Sequence, residues 1–535
     1  MQFHDLNSVS PRNLEADICI VGSGPAGLSV ASEFVGTDKA VLIIEGGGRI
    51  IDRRNQKLYE IDNIGEPRCL DQNLVRARVF GGTSQLWTGR VASFNDLDYQ
   101  SRPWINASGW PFDATHLAPY LERSRALLGL GPHIYDDSFW ELLAPRALTG
   151  RKLDGRLQSQ VWQFSRSPST AGQPVRFGVD NPCADADNIS ALLNATVTNI
   201  SLNGARDRLE NIEVRSLDGN RQVIKCRTLV LCCGGIENAR LLLSSRDQLP
   251  AGIGNQHDLV GRYLMDHPYC EIGLFDTSDY YRLIDAFGHH WVHDNEKKHV
   301  YLNGMRFSDE IQAQEKLLNC SSYLVSEADL DASWLSAKRA FSSIAVGKID
   351  KQVFRDTWYS LRHSDRLIDG LFRRYIKRRP AIMKPRRIAM GCNPEQMPDP
   401  ESRVLLSERR NRLGQPIARI DWRISPEETR AARRMAELIQ AEFPAGGLPK
   451  MKLADWIRTP GGNPHFGDTA HHMGATRMAL DEREGVVDAN GRVHGIEGLY
   501  ICGSSVFPTS GTANPTLMIV ALSLKTADAI RLSLP

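Results

Sequence analysis

The 535-residue chain lacks any run of about 18 consecutive apolar residues, the length that a membrane-spanning helix requires. Its first segment, Met1 to Ala16, lacks both the basic stretch and the apolar core of a secretory signal peptide. The formal net charge is only +2, which gives no electrostatic basis for nucleic-acid binding. We therefore expect a cytoplasmic protein that has no membrane span, does not bind nucleic acid and acts on a small molecule.

Metal-ligating and disulfide patterns are also missing. The ten cysteines include no C-x-x-C pair, and several lie in apolar runs such as Leu229–Cys233. Such thiols behave as small buried hydrophobic side chains. The sequence thus predicts neither a disulfide framework nor a metal site, while its length predicts two domains or one large domain with insertions.

What the chain does contain is a dinucleotide-binding pattern near its start. The apolar run Asp17–Val21 is typical of a buried parallel strand, and a G-x-G-x-x-G turn, Gly22–Gly27, follows it directly. A helical pattern then runs from Leu28 to Val35. In such a turn the first glycine permits a sharp bend, the second lets backbone amides approach a pyrophosphate, and the third lets the helix pack on the strand.

A second apolar run, Ala40–Ile44, ends in Glu45, which lies 23 positions after Gly22. The ribose-binding carboxylate of such motifs lies about 20 positions after the first glycine. This order of elements, a strand, a glycine-rich turn, a helix and a second strand that ends in an acid, predicts dinucleotide binding. It does not indicate whether the dinucleotide is FAD or NAD.

Two later segments favour a flavin. The stretch Arg78–Gly89 places glycines and hydroxyl side chains beside Trp87, which suits a backbone that lies against a flat ring system, although an ordinary glycine-rich turn remains an alternative. The strand-like run Leu499–Cys502 leads into Gly503 and Ser504, which would supply a second set of backbone donors to a long cofactor.

Elsewhere the patterns are weaker. We expect a helix over His116–Leu128 with Pro119 in its first turn, a β-meander within Asn188–Ser216, and a strand over Thr228–Cys233 that a helix follows. The basic stretch 362–379 is interpreted as a solvated helical face rather than as a membrane or acidic-partner surface.

The candidate chemistry lies in two C-terminal segments, His471–Met478 and Gly511–Thr516. They place His471 and Asn514 on stretches that a fold can bring together, as a base and its polar helper require. The alternative is a structural histidine pair and a turn-opening Asn-Pro.

Taken together, these motifs resemble the glucose-methanol-choline (GMC) oxidoreductase family over nearly the whole chain. The resemblance rests on five separated motifs: Gly22–Gly27 with Glu45, Gly81–Ser84, Gly234–Leu243 with Gly261–Pro268, His471–Met478, and Gly503–Asn514. Two segments, Gly234–Arg240 and Ser108–Phe112, are more similar to the branch of pyranose oxidase and related sugar dehydrogenases than to the glucose oxidase branch.

The resemblance implies an α/β (α+β) fold. A Rossmann-like FAD-binding domain with a mixed sheet would comprise residues 1–98, 181–267 and 470–535. A substrate-binding domain and cover, built on an antiparallel sheet with covering helices, would comprise residues 99–180 and 268–469.

The resemblance also implies a set of site residues. His471 matches the family's catalytic base, Asn514 matches its second catalytic residue, and Thr88 falls near the expected position of flavin N5. His472 occupies a variable slot beside the base and would contact substrate. The residues that would hold FAD are Gly22, Ser23, Gly24, Pro25, Ala26, Gly27, Glu45, Gly46, Arg78, Gly81, Gly82, Thr83, Ser84, Trp87, Thr88, Val197, Gly234, Gly503, Ser504, Asn514, Pro515 and Thr516.

Covalent attachment of the flavin is not implied. The branch often carries a tethering histidine just before the tryptophan, but here that position is Leu86, with Gln85 before it. FAD would therefore be bound non-covalently.

The implied reaction is oxidation of a CH–OH group to a carbonyl. His471, neutral near pH 7 if its pKa is the ordinary value of about 6.5, would take the hydroxyl proton while the adjacent carbon delivers hydride to the flavin. The substrate would be a sugar or sugar-like alcohol, such as a glycoside, an aminoglycoside or a polyol, and the electron acceptor would be oxygen, a quinone or a protein. The alternatives are oxidation of a non-sugar alcohol, a non-redox, lyase-like flavoprotein, and a binding protein with an inactive site.

Overall fold

The computed structural model describes most of the chain. The described residues are 1–8, 15–68, 70–143, 155–294, 297–328, 336, 339–340, 342–343, 350–362, 368, 370–376, 379–382 and 384–534.

The strands in the described residues are numbered along the chain. They are β1 Gln2–Asp5, β2 Glu15–Val21, β3 Val41–Ile44, β4 Ile61–Asn63, β5 Arg90–Val91, β6 Leu157–Phe164, β7 Ile189–Leu193, β8 Thr196–Leu202, β9 Leu209–Arg215, β10 Arg221–Leu231, β11 Cys270–Phe275, β12 His289–Asp294, β13 Lys297–Phe307, β14 Cys320–Ala328, β15 Pro385–Pro394, β16 Arg403–Arg410, β17 Pro416–Asp421, β18 Lys452–Leu453 and β19 Leu499–Ile501.

The α-helices are numbered in the same way. They are α1 Pro25–Ser32, α2 Arg53–Gln56, α3 Gln72–Val75, α4 Asp96–Tyr99, α5 Ala114–Leu128, α6 Ser138–Leu143, α7 Glu237–Ser244, α8 Tyr280–Phe287, α9 Asp309–Glu315, α10 Lys351–Arg362, α11 Pro426–Ala445, α12 Asp455–Arg458 and α13 Thr516–Ser533. Short 3₁₀ segments span Lys57–Tyr59, Gly82–Gln85, Thr277–Asp279 and Ser504–Val506, and Phe372–Ile376 forms a π-helical turn. Among the described helices, none combines the length and the apolar content that crossing a membrane would require.

The first sheet is mixed, in the order β1-β7-β3-β2-β10-β9-β8, with β19 on β10. The pairs among β1, β7, β3, β2, β10 and β19 are parallel, and β10, β9 and β8 form an antiparallel meander. Every residue of β3 is buried, as expected for a strand that is covered on both faces. Helix α1 packs against α13, which also packs against α5.

The second sheet is antiparallel, in the order β18-β11-β15-β14-β13-β6-β5, with β12 on β13. Helix α11 covers β11, β14 and β15 and buries Phe443 and Met435 in a second hydrophobic core. This helix begins where Ser425 and Glu428 form a reciprocal capping box ahead of Pro426. A mixed α/β fold with one mixed and one antiparallel sheet is therefore confirmed.

The division into two discontinuous domains stays a prediction. The first sheet takes its strands from residues 2–231 and 499–501. Strands β4, β5 and β6 lie in the same part of the chain but belong to other sheets. Strand β5 lies inside the segment assigned to the FAD-binding domain, yet it pairs with β6 in the second sheet. A small third sheet, β16-β17-β4, joins the two regions, and α7 packs on it.

Two local expectations need correction. Helix α5 begins at Ala114 because Asp113 caps it by accepting from the backbone N–H of His116, so the exposed Pro119 lies in the second turn rather than the first. The basic stretch 362–379 lies partly outside the described residues. Within its described part, Arg373 is 3% exposed and donates to Asp285 at 2.8 Å, so this residue does not belong to a solvated face.

A buried ion pair links the segment after α4, which contains Arg102, to the end of β15 in the second sheet, which Glu395 follows. Arg102 donates from both terminal nitrogens to Glu395, at 2.7 and 2.6 Å, and the two side chains are 1% and 0% exposed. The backbone N–H of Asn319 donates to the same carboxylate at 3.2 Å. Loss of one partner would therefore leave a buried charge without compensation.

We predict that Arg102→Met lowers the unfolding free energy by roughly 3–5 kcal/mol, because Glu395 would stay buried and unpaired. The matched control is Arg208→Met, which removes an ion pair of similar length, 2.7 Å, whose side chains are 61% and 64% exposed. That change should cost less than about 1 kcal/mol. Urea-unfolding midpoints of the three proteins check this, and equal shifts for the two variants would contradict it.

Candidate active site

A cavity of about 460 Å³ lies at the carboxyl ends of the parallel strands of the first sheet. Residues that directly follow β2, β3 and β10, and two residues shortly after β19, line this cavity, and open α/β sheets commonly bind ligands at this edge. The sequence-predicted residues that line it are Gly22, Ser23, Gly24, Pro25, Ala26, Glu45, Gly82, Thr83, Ser84, Trp87, Thr88, Gly234, His471, His472, Gly503, Ser504, Asn514, Pro515 and Thr516.

Two glycine-rich turns meet at one end of the cavity. Gly22 has φ +100°, and a Cβ there would come within 2.6 Å of the carbonyl oxygen of Cys232. Gly82 has φ +56°, and a Cβ there would come within 2.7 Å of the Cα of Gly24. Both positions therefore require glycine: a side chain at Gly22 would clash with the backbone after β10, and one at Gly82 would push the two turns apart.

The amino-terminal ends of two helices face this cavity. Gly24 precedes α1 and Pro515 precedes α13, and neither residue provides a side-chain cap. The first backbone N–H groups of both helices are therefore not capped by those side chains, and the positive ends of two helix dipoles point to the same space. The start of α1, directly after the glycine-rich turn, fits the pyrophosphate of a dinucleotide, whereas the start of α13 follows Asn514 on the side of His471.

Glu45 closes the cavity at the end of β3. Its carboxylate is buried and accepts from the backbone N–H of Ser23 at 3.2 Å, from the hydroxyl of Ser23 at 2.6 Å and from the backbone N–H of Gly47 at 2.8 Å. The carboxylate is thus held where the dinucleotide motif places a ribose acceptor.

The loop before β5 is fixed beneath the cavity. The indole N–H of Trp87 donates to the carbonyl oxygen of Val175 at 2.8 Å, and Arg176 donates to the carbonyl oxygens of Ser84 and Trp87 at 2.5 and 2.9 Å. Leu86 lines the cavity and is 41% exposed. A rigid platform of this kind suits a flat ring system.

The structure brings His471 and Asn514 together. The amide nitrogen of Asn514 lies 3.3 Å from Nε2 of His471. On the other side of the imidazole, Nδ1 lies 2.9 Å from the hydroxyl of Thr469 and 3.1 Å from Nδ1 of His267. The ring therefore has hydrogen-bonding partners at both nitrogens.

These partners assign the tautomer of His471. Nε2 of His267 lies 3.2 Å from the carbonyl oxygen of Ser510, which can only accept, so this nitrogen carries the proton. In a neutral His267, Nδ1 is then an acceptor, and Nδ1 of His471 must donate toward it or toward Thr469. The lone pair of His471 is consequently on Nε2, on the side of Asn514.

The charge state of the pair follows from its surroundings. Burial, with a smaller contribution from His267, lowers the pKa of His471 to about 3. Burial also lowers the pKa of His267. The ordinary pKa assumed from the sequence is therefore wrong for His471, although the base is neutral at pH 7 on either value.

One carboxylate holds this histidine arrangement in place. Oδ1 of Asp266 accepts from the backbone N–H groups of His267 and His471, at 2.7 and 3.0 Å, and from the hydroxyl of Thr469 at 2.9 Å. Its Oδ2 lies 2.5 Å from Arg68, whose side chain is 3% exposed. Burial acts to raise the pKa of Asp266, but the charge of Arg68 and the backbone hydrogen bond from His471 hold it well below its usual range.

His472 lies against different groups from its neighbour. Its Nε2 is buried and has no hydrogen-bond partner among the described residues, and burial holds its pKa well below the ordinary value. Its carbonyl oxygen accepts from the hydroxyl of Ser504 at 2.6 Å. Both histidines border the cavity, but the contact with Asn514 is made by His471.

Five predicted cofactor residues lie off the cavity lining: Gly27, Gly46, Arg78, Gly81 and Val197. Gly27 permits close packing, because a Cβ there would come within 1.9 Å of the carbonyl oxygen of Gly22. Arg78 donates to the hydroxyl of Thr196 at 2.8 Å. Gly27 and Arg78 therefore contribute to the packing around the cavity rather than to its lining.

Sequence reasoning assigned no role to Asp266, His267, Thr469 or Arg90. The motif Gly261–Pro268 contained the first two, so a signal was present, but neither its spacing nor its composition indicated which residues the pair would contact. Arg90 lines the cavity two positions after Thr88.

Comparisons with known proteins identify a family. The amino-terminal GMC oxidoreductase family model matches residues 176–269, and the carboxy-terminal model matches residues 398–523. The large subunit of fructose dehydrogenase from Gluconobacter japonicus is 25% identical, with 98% of this chain and 99% of that protein aligned. The 6'''-hydroxyparomomycin C oxidase of Streptomyces lividus is 25% identical over 96% of this chain and 91% of its own length.

More distant relatives and solved structures extend the comparison. Pyranose 2-oxidase from Tricholoma matsutake is 21% identical over 85% of this chain and 72% of its own length. Formate oxidase from Aspergillus oryzae RIB40, solved in a study of its FAD modification, has a TM-score of 0.58 at 17% identity and covers 98% of this chain and 99% of its own. That likeness shows the fold. GMC oxidoreductases are FAD-binding flavoproteins.

We predict that Glu45→Ala weakens FAD retention more than it changes turnover of the FAD-loaded fraction. Each charged hydrogen bond lost is worth roughly 1.5–3 kcal/mol, which is enough to lower occupancy during purification. The control is Glu497→Ala, at a carboxylate that is 64% exposed and paired with Arg208. FAD content per protein after gel filtration is the measurement, and equal content in both variants would place the ribose elsewhere.

Proposed function

Because this chain belongs to the GMC oxidoreductase family, we propose that it oxidises a CH–OH group of a sugar or sugar-like alcohol to the carbonyl, with FAD bound non-covalently. The observation that carries this proposal is the pairing of His471 with Asn514 at 3.3 Å on the border of a cavity that fits a dinucleotide.

His471 is the proposed base. Its Nε2 lone pair takes the hydroxyl proton of the substrate, while Asn514 donates a hydrogen bond to the same oxygen and holds it in position. Thr469 and His267 keep the proton of the imidazole on Nδ1, which leaves Nε2 available. Loss of a positioned donor such as Asn514 typically costs on the order of ten- to a thousand-fold in rate.

The cofactor end of the cavity holds FAD through backbone groups and one carboxylate. The turn Gly22–Gly27 and the start of α1 would bind the pyrophosphate, and Glu45 would accept from the ribose hydroxyls. When bound, FAD supplies the hydride acceptor. Leu86, in place of a tethering histidine, supports non-covalent binding.

The substrate class is supported by the relatives rather than by the cavity alone. A dehydrogenase named for fructose, oxidases named for aminoglycosides and a pyranose oxidase align with most of this chain. The electron acceptor is proposed to be oxygen, a quinone or a protein. A non-sugar alcohol remains the second candidate, since 2-methyl-1,2-propanediol dehydrogenase from Mycolicibacterium austroafricanum is 21% identical over 96% of this chain.

The test is anaerobic mixing of the FAD-loaded protein with sugars, glycosides, aminoglycosides, polyols and simple alcohols. Bleaching of the flavin absorbance by a sugar or polyol is the expected result. Bleaching by simple alcohols alone would replace the sugar class with the second candidate. A flavin that no alcohol bleaches would favour a non-redox, lyase-like role.

We predict that His471→Ala slows flavin reduction by about 10²–10⁴-fold, with partial recovery as pH rises and hydroxide replaces the base. The matched variant is His472→Ala, which should alter mainly the apparent affinity for substrate. Stopped-flow reduction of both FAD-loaded variants is the measurement. Near-normal reduction in His471→Ala with collapse in His472→Ala would assign the base to His472.

The pH dependence follows from the lowered pKa of His471. A base with a pKa of about 3 stays neutral down to pH values at which an ordinary histidine is already protonated. We therefore predict that flavin reduction is nearly constant between about pH 8 and 5, whereas a base with the ordinary pKa of about 6.5 would lose most activity below about pH 6. Anaerobic rates across this range decide between the two.

The same shift limits stability at low pH. The folded-state pKa of His471 lies below its unfolded value of about 6.5, so the unfolded chain binds more protons between the two values. This contribution to stability is full above about pH 6.5 and falls as pH drops toward 3. Unfolding midpoints recorded beside the rates separate a loss of fold from a loss of base.

A further inference from the structure

Arg90 is a cation placed in the cavity by the second sheet. It begins β5, where it pairs with Phe164 of β6, and it lies two positions after Thr88. It lines the same cavity as His471 and Asn514, and its charge contributes to the lowered pKa of His471. Arg90 therefore belongs to the substrate side of the site.

Two aromatic rings hold its guanidinium. The central carbon lies 4.0 Å from the ring centroid of Trp162 and 4.1 Å from that of Tyr323. The two rings meet edge to face, with 75° between their planes, so the guanidinium occupies the corner between them. Trp162 is only 1% exposed, which makes this corner a rigid part of the core.

The charge of Arg90 has no counter-ion in the described part of the chain. No aspartate or glutamate described there forms an ion pair with it, and its buried Nε has no hydrogen-bond partner. The carboxylates Asp266 and Asp468, which lie in the segment around His471, are both paired with Arg68. Arg90 therefore differs from Arg68 and Arg102, each of which is buried against a carboxylate.

Other groups around Arg90 do not balance its charge. Tyr323 hydrogen-bonds to it, but burial and other effects raise the pKa of this phenol, so it stays neutral. Burial lowers the pKa of His289 and of His471, so both are neutral as well. Arg90 is half-buried, and a partly desolvated cation without a counter-ion is costly, whereas an anion that enters the cavity would remove much of the cost.

We propose that Arg90 binds a carboxylate of the substrate, so that the enzyme selects an alcohol that is also an acid, such as a uronic or aldonic acid. The proposal rests on the proposed function, since it names the substrate class of the same site. A single planar guanidinium matches a carboxylate in two parallel hydrogen bonds. A phosphate dianion would call for more donors than this corner of two aromatic rings offers.

The first test needs no variant. Anaerobic flavin reduction by the FAD-loaded wild-type protein is compared within matched pairs: glucuronate against glucose, galacturonate against galactose, and gluconate against glucitol. We expect kcat/KM to favour the acid by roughly 10- to 100-fold, the size of a charged hydrogen-bonded pair. Equal or better reduction by the neutral partner in all three pairs would overturn the proposal.

Variants assign the preference to Arg90. Arg90→Met should bring the ratio of kcat/KM for the acid to kcat/KM for its neutral partner close to one, whatever its effect on the absolute rates, whereas Arg90→Lys should keep part of the preference. The matched control is Arg433→Met, which removes a guanidinium 5.3 Å from the ring centroid of Trp456, outside the cavity lining. A preference that survives in Arg90→Met would assign it to another residue.

A binding measurement separates this proposal from the proposed function. Propionate and its neutral analogue propionamide are titrated into the FAD-loaded protein while the flavin spectrum and the unfolding temperature are followed. Propionate should bind wild type and Arg433→Met but not Arg90→Met, and propionamide should bind none of them. If propionate binds in this way while no alcohol bleaches the flavin, the anion site stands and the oxidase or dehydrogenase function fails. If neutral sugars bleach the flavin and propionate does not bind, the function stands and the anion site fails.

Discussion

The carboxylate of Asp266 is the interaction on which the rest of the candidate site depends. It accepts from the backbone of His267 and His471 and from the hydroxyl of Thr469, and it pairs with Arg68. These partners come from chain segments that are about two hundred residues apart. Because Asp266 is 0% exposed, each partner that moved away would leave a buried charge or donor unsatisfied. One buried anion thereby fixes the position of the base.

The same anchor extends into the second sheet. The backbone N–H of Asp266 donates to the side-chain amide oxygen of Gln396 at 2.7 Å. The same oxygen accepts from the indole N–H of Trp422 at 2.9 Å. Gln396 follows β15, and its own N–H donates to Ser510 at 3.0 Å, four residues before Asn514. The base, its asparagine partner and the antiparallel sheet are therefore held by one continuous network of buried polar groups, which is how a site gains precision from its supporting shell.

What could be predicted from the sequence was governed by short-range rules. The turn Gly22–Gly27 and the acid Glu45 belong to one strand–helix–strand unit, in which backbone geometry ties residue type to position, and all but Gly27 of these residues border the cavity. The fold class followed from the family resemblance, and its mixed and antiparallel sheets are confirmed. His471 and Asn514 could be named from motifs, but their 3.3 Å contact could not be derived from a spacing of 43 residues.

The parts that sequence reasoning missed depend on pairings across the whole fold. His267 is 204 residues from His471, and Arg90 gains its surroundings from β6 and β14, so no local pattern reported either contact. The pKa of His471 was missed for the same reason, since burial is a property of the assembled cavity. Periodicity and motif order describe one chain segment at a time. The charge and solvation of a side chain depend on every segment that packs around it in the folded protein.

Charge is distributed unequally between the two ends of the cavity. At the cofactor end, the amino terminus of α1 faces the space where a pyrophosphate would lie, and at the other end Arg90 and the start of α13 lie near neutral histidines. A cation near His471 lowers the pKa of that base, so Arg90 alone would weaken it. An acid bound to Arg90 would cancel much of this effect and raise the basicity of His471 while the substrate is in place. The residue that recognises the acid would then also make the base stronger when its substrate is bound.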